Sequence, residues 1–543
     1  MPTVASLIVR RLLEAGTTHL FGMPGGGSSL DIIEAAGDAG LRFVLSHTET
    51  AGALMASAQA ELTGAPAACL ATMGPGATSI VNGTAHALLD RAAVVVLTDS
   101  YPASTRPLFS HQRIDHRAVL GPVTKWSGEI TADAADEVVR RAIAVARAAP
   151  AGPVHLDCAA EVSACEVDVG APRDAAPGLD GRAAEAPRPL GQPREITPPL
   201  QGLLRGVRKP VLIAGLGARE RDDGLAIRRF LERHRVPALV TYKGKGVVPD
   251  HHPWFAGIFT NGAIERPLLE QADLVLAVGL DPVELIPRTW PYQQPVIYCG
   301  RWKVDDRQVP FGAELVMPIR DALDLVSDCL SLCEGWSEDD VCRERERQKA
   351  LLRVPVAGLA PHRVVERLAD CLARTARLTI DAGAHMFPAI GLWPASAPGD
   401  VLISNGLSTM GFALPAAIGS ALTDPARPVV ALTGDGGLLM CMGELATAQR
   451  ERLDITVVVL KDDRLSLIDI KQRQRRYREA GVDLGDIRWT SVASGMGLAS
   501  ASAGTEEDLV RCLQNAEECS GPMLIETRID PGGYGETLRA VRG

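Results

Sequence analysis

Two short stretches gather the residue types that hold charged ligands. In the C-terminal third, the apolar run Val429-Val-Ala-Leu-Thr433 feeds Gly434-Asp435-Gly436-Gly437 and then a helical pattern. A buried strand that turns through glycines into a helix is how phosphate sites are built. Helix-start N–H groups face outward, Gly434 and Gly436 let a ligand approach the backbone, and Asp435 offers an oxygen to a hard cation. The next apolar run, 456–460, ends in Lys461-Asp462-Asp463-Arg464, so a second carboxylate emerges at a neighbouring strand end. Gly-Asp-Gly taken singly also fits an ordinary turn. Near the N-terminus, Phe21-Gly-Met-Pro-Gly25-Gly26-Gly27-Ser precedes Leu45-Ser-His-Thr-Glu49, which sets an acid just past a strand end where an apolar helix begins. Alone, Glu49 reads as a helix-start acid.

The elements that position these residues recur along the chain. Its 543 residues exceed what one hydrophobic core organises, and 46% hydrophobic against 22% charged residues is a globular composition. Short apolar runs at 43–45, 68–71, 94–98 and 154–156 alternate with helical stretches. The pattern restarts at 210–214, 237–240, 274–278 and 296–298, and again at 378–381, 401–404, 429–433, 456–460 and 523–526. Strands alternating with helices imply parallel sheets covered on both faces. The expected fold class is therefore α/β, with three doubly wound parallel-sheet domains at 1–167, 200–335 and 356–543. The Ala/Pro/Arg/Gly-rich stretch 168–199 and the charged stretch 336–355 read as linkers. The first and third parts have similar texture.

The net charge of −10 argues against a nucleic-acid partner. Val4, Leu7, Ile8 and Leu12 stand at helical spacing with charges between them, which is an amphipathic helix and not a signal peptide, and no stretch is apolar enough to span a membrane. The 11 cysteines contain no CxxC pair, and a chain this long needs no disulfides, so a cytoplasmic protein with reduced thiols is expected.

The segment from Gly434-Asp435-Gly436 to Lys461-Asp462 resembles the thiamine-diphosphate motif, which opens Gly-Asp-Gly and closes some two dozen residues later in Asn-Asn. Ser404-Asn-Gly-Leu-Ser-Thr-Met410-Gly, the Gly25-Gly26-Gly27 loop, Glu49 and Ala71-Thr72-Met-Gly-Pro-Gly also resemble the acetolactate synthase and 2-oxoacid decarboxylase family. The resemblance implies a pyrimidine-binding, a central and a diphosphate-binding domain. It implies a cofactor bound at Gly25, Gly26, Glu49, Thr72, Met410, Gly434, Asp435, Gly436, Gly437 and Asp462. It makes Asp435, Asp462 and the carbonyl of Arg464 ligands of Mg²⁺, Met410 the wedge that bends the cofactor, and Glu49 the acid on N1′ of its aminopyrimidine. Lys461-Asp462 replaces the Asn pair; a carboxylate still suits a hard cation, and Lys461 offsets its charge.

By the same resemblance a 2-oxo acid such as pyruvate loses carbon dioxide on the cofactor. The acyl unit then passes to a second carbonyl compound, or is protonated and released as an aldehyde. Thr72 stands where benzoylformate decarboxylases place a histidine, and a pocket short of proton donors favours ligation. Phe109-Ser-His111-Gln112 and Pro122-Val-Thr-Lys125 resemble the segment carrying a Phe-Gln pair and a lysine near the active site, so Gln112 and Lys125 are candidates for touching substrate. His111 replaces the aromatic residue and keeps the decarboxylase alternative open. Lys471 stands where acetolactate synthases carry the tryptophan that helps select the acceptor, which points to a carboligase with another acceptor. Ala214-Gly-Leu-Gly is a weak dinucleotide signal, and 279–287 lacks the Asp-Asp-Arg of flavin-binding relatives, so FAD is not expected. The family places its cofactor between two chains, which implies a homodimer or homotetramer. A degenerate, non-catalytic partner subunit is the remaining alternative.

Overall fold

In the computed structural model, the structure describes residues 1–167, 198–304, 307–330, 332–372 and 375–543. Most of the segment read as the first linker, 168–197, lies outside the described residues.

Three sheets of six strands organise the described residues. The first holds β1 (His19–Gly22), β2 (Arg42–Leu45), β3 (Ala67–Ala71), β4 (Val94–Ser100), β5 (Trp126–Glu129) and β6 (Val154–Ala159). The second holds β7 (Pro210–Ala214), β8 (Ala238–Val240), β9 (Phe255–Ile258), β10 (Leu274–Val278), β11 (Val296–Gly300) and β12 (Phe311–Val316). The third holds β13 (Arg377–Ile380), β14 (Val401–Ile403), β15 (Val429–Gly434), β16 (Ile455–Lys461), β17 (Ala499–Ala503) and β18 (Met523–Arg528). Every strand pair within the three sheets is parallel. Every residue of β3, β4, β7, β10 and β11 is buried, as continuous apolar strands between two helical layers must be. The α/β architecture of three doubly wound sheets expected from the alternation is what forms.

The first and third sheets share one topology. Their orders, β2-β1-β3-β4-β6-β5 and β14-β13-β15-β16-β18-β17, are the same series. Each changes direction between its first and third strands, and in open parallel sheets ligands bind beyond the carboxyl ends at such a switch point. Gly22 and Ala71 end the strands flanking that point in the first sheet; Ile380 and Gly434 do so in the third.

The described residues fall into two compact units. One comprises Met1–Arg188, Gly406–Ala426 and Cys441–Leu453; the other comprises Pro189–Asn405, Arg427–Met440 and Asp454–Gly543. The first unit is built around the helix Glu49–Thr63, buried from Ala51 to Ala60. Its small residues admit close neighbours: a Cβ on Gly83 would stand 2.5 Å from that of Ala53, and one on Gly419 would stand 2.4 Å from the Met55 carbonyl oxygen. Helix Val4–Glu14 buries Val4, Leu7, Ile8 and Leu12 as its spacing requires, capped by Thr3.

The second expected linker, 336–355, instead contains a helix, Glu338–Leu352, opened by a Ser337–Asp340 capping box. It buries only Val341, Glu344, Gln348 and Leu352, a stripe half made of polar residues. Among the described residues, no helix is long and apolar enough to cross a membrane.

Candidate active site

In the first unit, loops at the carboxyl edge of the sheet converge on Glu49. This residue opens its helix, which Thr48 caps by accepting the Ala51 N–H at 3.1 Å. Upstream, the Glu444 carboxylate accepts the His47 N–H at 2.8 Å and the Thr48 N–H at 3.3 Å, so a buried acid fixes the approach to Glu49. The Glu49 side chain itself is 9% exposed. A Cβ on Gly76 would stand 3.1 Å from Glu49 Oε1 and 3.0 Å from the Thr72 methyl. One on Gly25 would stand 2.3 Å from Thr72 Oγ1. The glycine turn is anchored by Asp99, which accepts from Ser28 Oγ at 2.8 Å and from the Ser29 N–H at 2.7 Å. Gly25, Thr72, Gly76 and Glu49 therefore form one cluster. Gly26 has nothing within 4 Å of where a Cβ would point, which leaves its backbone open to a ligand. Met410, half-buried, belongs to the same unit.

The loop after β4 places its candidates differently. Gln112, exposed and left-handed at φ +54°, lines a cavity of about 530 Å³ with Met73, Tyr101, Arg113, His116 and Asp157. His111 is exposed, and its carbonyl accepts the Tyr101 hydroxyl at 3.1 Å. Lys125, a candidate for touching substrate, is engaged at a helix end. Its Nζ donates to the Val145 and Ala148 carbonyls, both at 2.6 Å, at the C-terminus of helix Ala135–Arg147. A cation there neutralises the negative end of the helix. Burial, helped by nearby Arg91, pushes its pKa down to about 8.

In the second unit, the switch point of the third sheet carries the other set. The register sets Gly434 opposite Leu460, which brings Asp435 and Asp462 to adjacent strand ends. Asp435 Oδ1 accepts the Gly436 N–H at 2.9 Å, and Oδ2 accepts those of Asp462 at 3.2 Å and Asp463 at 2.7 Å. Asp462 accepts the Arg464 N–H at 3.3 Å and the Ser466 hydroxyl. The Arg464 side chain turns to Glu479 at 2.9 Å, so only its backbone belongs to the site. Burial raises the pKa of Asp435, and burial together with the Asp435 charge pushes Asp462 up to about 6. Two carboxylates raised in this way suit a divalent cation, which would stabilise both anions. Lys461, 1% exposed, donates to Asp463 and, at 2.8 Å, to Asp486. Its charge offsets these outer acids, not Asp462.

Sequence reasoning passed over two neighbours of this set. Asp381, at the end of β13, accepts the Thr433 hydroxyl at 3.0 Å, and a Cβ on Gly437 would meet its carboxylate at 2.6 Å. His385 is buried, its Nε2 lacks a hydrogen-bond partner among the described residues, and burial lowers its pKa to about 4. It lies beside Gly434, where a Cβ would stand 3.4 Å from the ring. A neutral imidazole with an unpartnered nitrogen beside a glycine turn suits a polar ligand atom. The only sequence signal was its place just after the β13 strand end.

The first cluster thus offers a buried acid in a glycine-walled space, and the second offers a hard-cation site on a glycine turn. Comparison with known proteins agrees with this division. The thiamine pyrophosphate enzyme family matches with its N-terminal TPP binding domain at residues 2–119, its central domain at 200–301 and its C-terminal TPP binding domain at 381–527. The chain belongs to the thiamine pyrophosphate enzyme family. It is 28% identical to an acetolactate synthase of Bacillus subtilis (strain 168), over 97% of this chain and 93% of that protein. It is 29% identical to a catabolic acetolactate synthase of Raoultella terrigena, over 97% and 95%. A solved thiamine diphosphate-dependent 4-hydroxybenzoylformate decarboxylase of Rhodococcus jostii RHA1 shares the fold, with a TM-score of 0.79 at 22% identity over 97% of this chain and 99% of that one.

Proposed function

We propose that the chain is a cytoplasmic thiamine-diphosphate- and Mg²⁺-dependent carboligase, assembled as a homodimer or homotetramer. Its reaction decarboxylates pyruvate or a similar 2-oxo acid and transfers the acyl unit to a second carbonyl compound. The observation that carries this reading is the buried Glu49 at its helix head, set against Gly76, which also packs on Thr72.

Asp435, Asp462 and the Arg464 carbonyl would hold Mg²⁺. The turn Gly434-Asp435-Gly436-Gly437 and the unpartnered Nε2 of His385 suit the diphosphate. When bound, the cofactor supplies a carbon nucleophile and a place to store the electron pair left by decarboxylation. Glu49 would hold a proton at N1′ of the bound aminopyrimidine, acting as its acid–base partner. Met410 would pack against the bound cofactor, and Gln112 would face the substrate side. Thr72, in place of an imidazole, leaves this wall without a strong acid, and that favours transfer to a carbonyl over protonation.

Titration of metal-stripped protein tests the binding half of this reading. Thiamine diphosphate is expected to quench tryptophan fluorescence with Mg²⁺ present, and to do so far more weakly in EDTA or in Asp435→Asn. Equal binding in all three samples would contradict it.

A further inference from the structure

The turn Met73-Gly74-Pro75-Gly76 packs against the Glu49 carboxylate, since a Cβ on Gly76 would meet Glu49 Oε1 at 3.1 Å. The turn is held from its other side. Gly74 is left-handed at φ +65°, and a Cβ there would stand 2.7 Å from the Gln112 carbonyl oxygen. Its N–H donates to Nε2 of His116 at 3.1 Å in a buried contact. That bond sets the tautomer: Nε2 is the acceptor, so Nδ1 carries the proton and donates to Asp157 Oδ1 at 2.7 Å.

Asp157 is well placed to impose this arrangement. Its Oδ1 also accepts the Thr98 hydroxyl at 2.6 Å; His155 Nε2 donates to Thr98 Oγ1 at 2.7 Å, and the Ser127 hydroxyl donates to His155 Nδ1 at 2.8 Å. Burial works against ionisation of Asp157, yet its hydrogen bond from His116 and the neighbouring His155, 3.6 Å away, hold the carboxyl well below the usual range. The ligating atoms of His116, His155 and Asp157 lie within 4.8 Å of one another. Hydrogen bonds engage all three, so the cluster braces the turn.

We propose that His116 is a positioning residue for the reaction: braced by Asp157, it fixes the Gly74 amide and thereby the Gly76 wall against which Glu49 presents its carboxylate. The inference rests on the reading of Glu49 as the acid that works on the cofactor. His116 touches no reacting atom; it acts through the turn, and removing its acceptor strands a buried N–H.

The test compares His116→Gln, whose amide oxygen reaches the place of Nε2, with His116→Asn, which keeps only a partner for Asp157. The full chain is used, with Glu49→Gln alongside. The readouts are thermal melting, thiamine diphosphate affinity from tryptophan quenching in Mg²⁺, and kcat and KM for pyruvate at saturating cofactor. His116→Asn is expected to bind the cofactor about tenfold more weakly and to lose about tenfold in kcat, with KM for pyruvate within about twofold. His116→Gln is expected to stay within about threefold of the parent on every count. Should His116→Asn fail to fold, His116→Met, which fills similar volume without an acceptor, makes the same comparison. Parent-like kcat and affinity in His116→Asn, or equal losses in both variants, overturn the proposal while a dead Glu49→Gln leaves the Glu49 reading standing. A fully active Glu49→Gln overturns both.

Discussion

Asp435 and Asp462 end neighbouring parallel strands, and the Asp462 N–H donates to Oδ2 of Asp435 at 3.2 Å while its own carboxylate takes the Ser466 hydroxyl and the Arg464 N–H. The Asp435 carboxylate thus organises the backbone that carries Asp462, and burial raises the pKa of both side chains.

A pH dependence follows for metal-free protein. Asp462 has a folded-state pKa of about 6 against an ordinary 3.8, from burial and then from Asp435. The folded state therefore holds the proton more tightly than the unfolded one, and stability falls as pH rises from about 4 to about 6. The loss is on the order of 3 kcal/mol at most. Denaturant melts across this window are expected to show a steeper fall in the parent than in Asp462→Asn, in which Asp435, Asp223 and Glu284, also raised by burial, still titrate. Identical slopes in the two proteins would refute the assignment.

Lys461 is expected to be a stability residue. Lys461→Met strips Asp463 and Asp486 of a buried cation, although Arg528 still reaches Asp463 at 3.2 Å. A loss of about 1–3 kcal/mol in urea melts, with Mg²⁺-dependent cofactor affinity nearly kept, is the expected outcome. A collapse of cofactor affinity without a stability loss would place Lys461 in the metal site instead.

Lys125 is expected to behave as a helix cap. Lys125→Met should cost about 1 kcal/mol of stability, because the Val145 and Ala148 carbonyls lose their cation, and should leave KM for the 2-oxo acid within about twofold. A large rise in KM would restore the substrate-contact reading.

Much of this architecture was legible in the sequence because buried parallel strands are continuous apolar runs, as in Val94–Ser100 or Leu274–Val278. Of the five strands that escaped notice, Phe255–Ile258 is buried throughout but only four residues long, and the other four have a physical reason of their own. Ala499–Ala503 and Phe311–Val316 run along sheet edges, and exposed or half-buried positions dilute their apolar signal. Trp126–Glu129 is likewise an edge strand, and His19–Gly22 is only four residues long. Helix Glu338–Leu352 hid because Glu344 and Gln348 fill half its buried stripe. In the site, Glu49, Asp435 and Asp462 stood out as acids at strand ends. His116, His385 and Asp381 did not, because what gives them meaning is register and loop packing: a Gly74 amide, an unpartnered nitrogen and a Thr433 hydroxyl. Lys125 shows the converse, since its type and spacing were right for substrate but its direction was set by a helix end.

A colourless protein is expected. A purified sample with flavin absorbance near 450 nm, released on denaturation, would contradict the reading of 279–287, and so would activity that depends on added FAD.

The carboligase claim is tested most directly by its products. The protein is incubated with thiamine diphosphate, Mg²⁺ and pyruvate, alone and with a panel of aldehyde and 2-oxo acid acceptors, and analysed by mass spectrometry beside Glu49→Gln. A coupled carbon–carbon product, reduced about a hundredfold or more in the variant, is the expected result. Free acetaldehyde with no coupled product, or full product from Glu49→Gln, would contradict it.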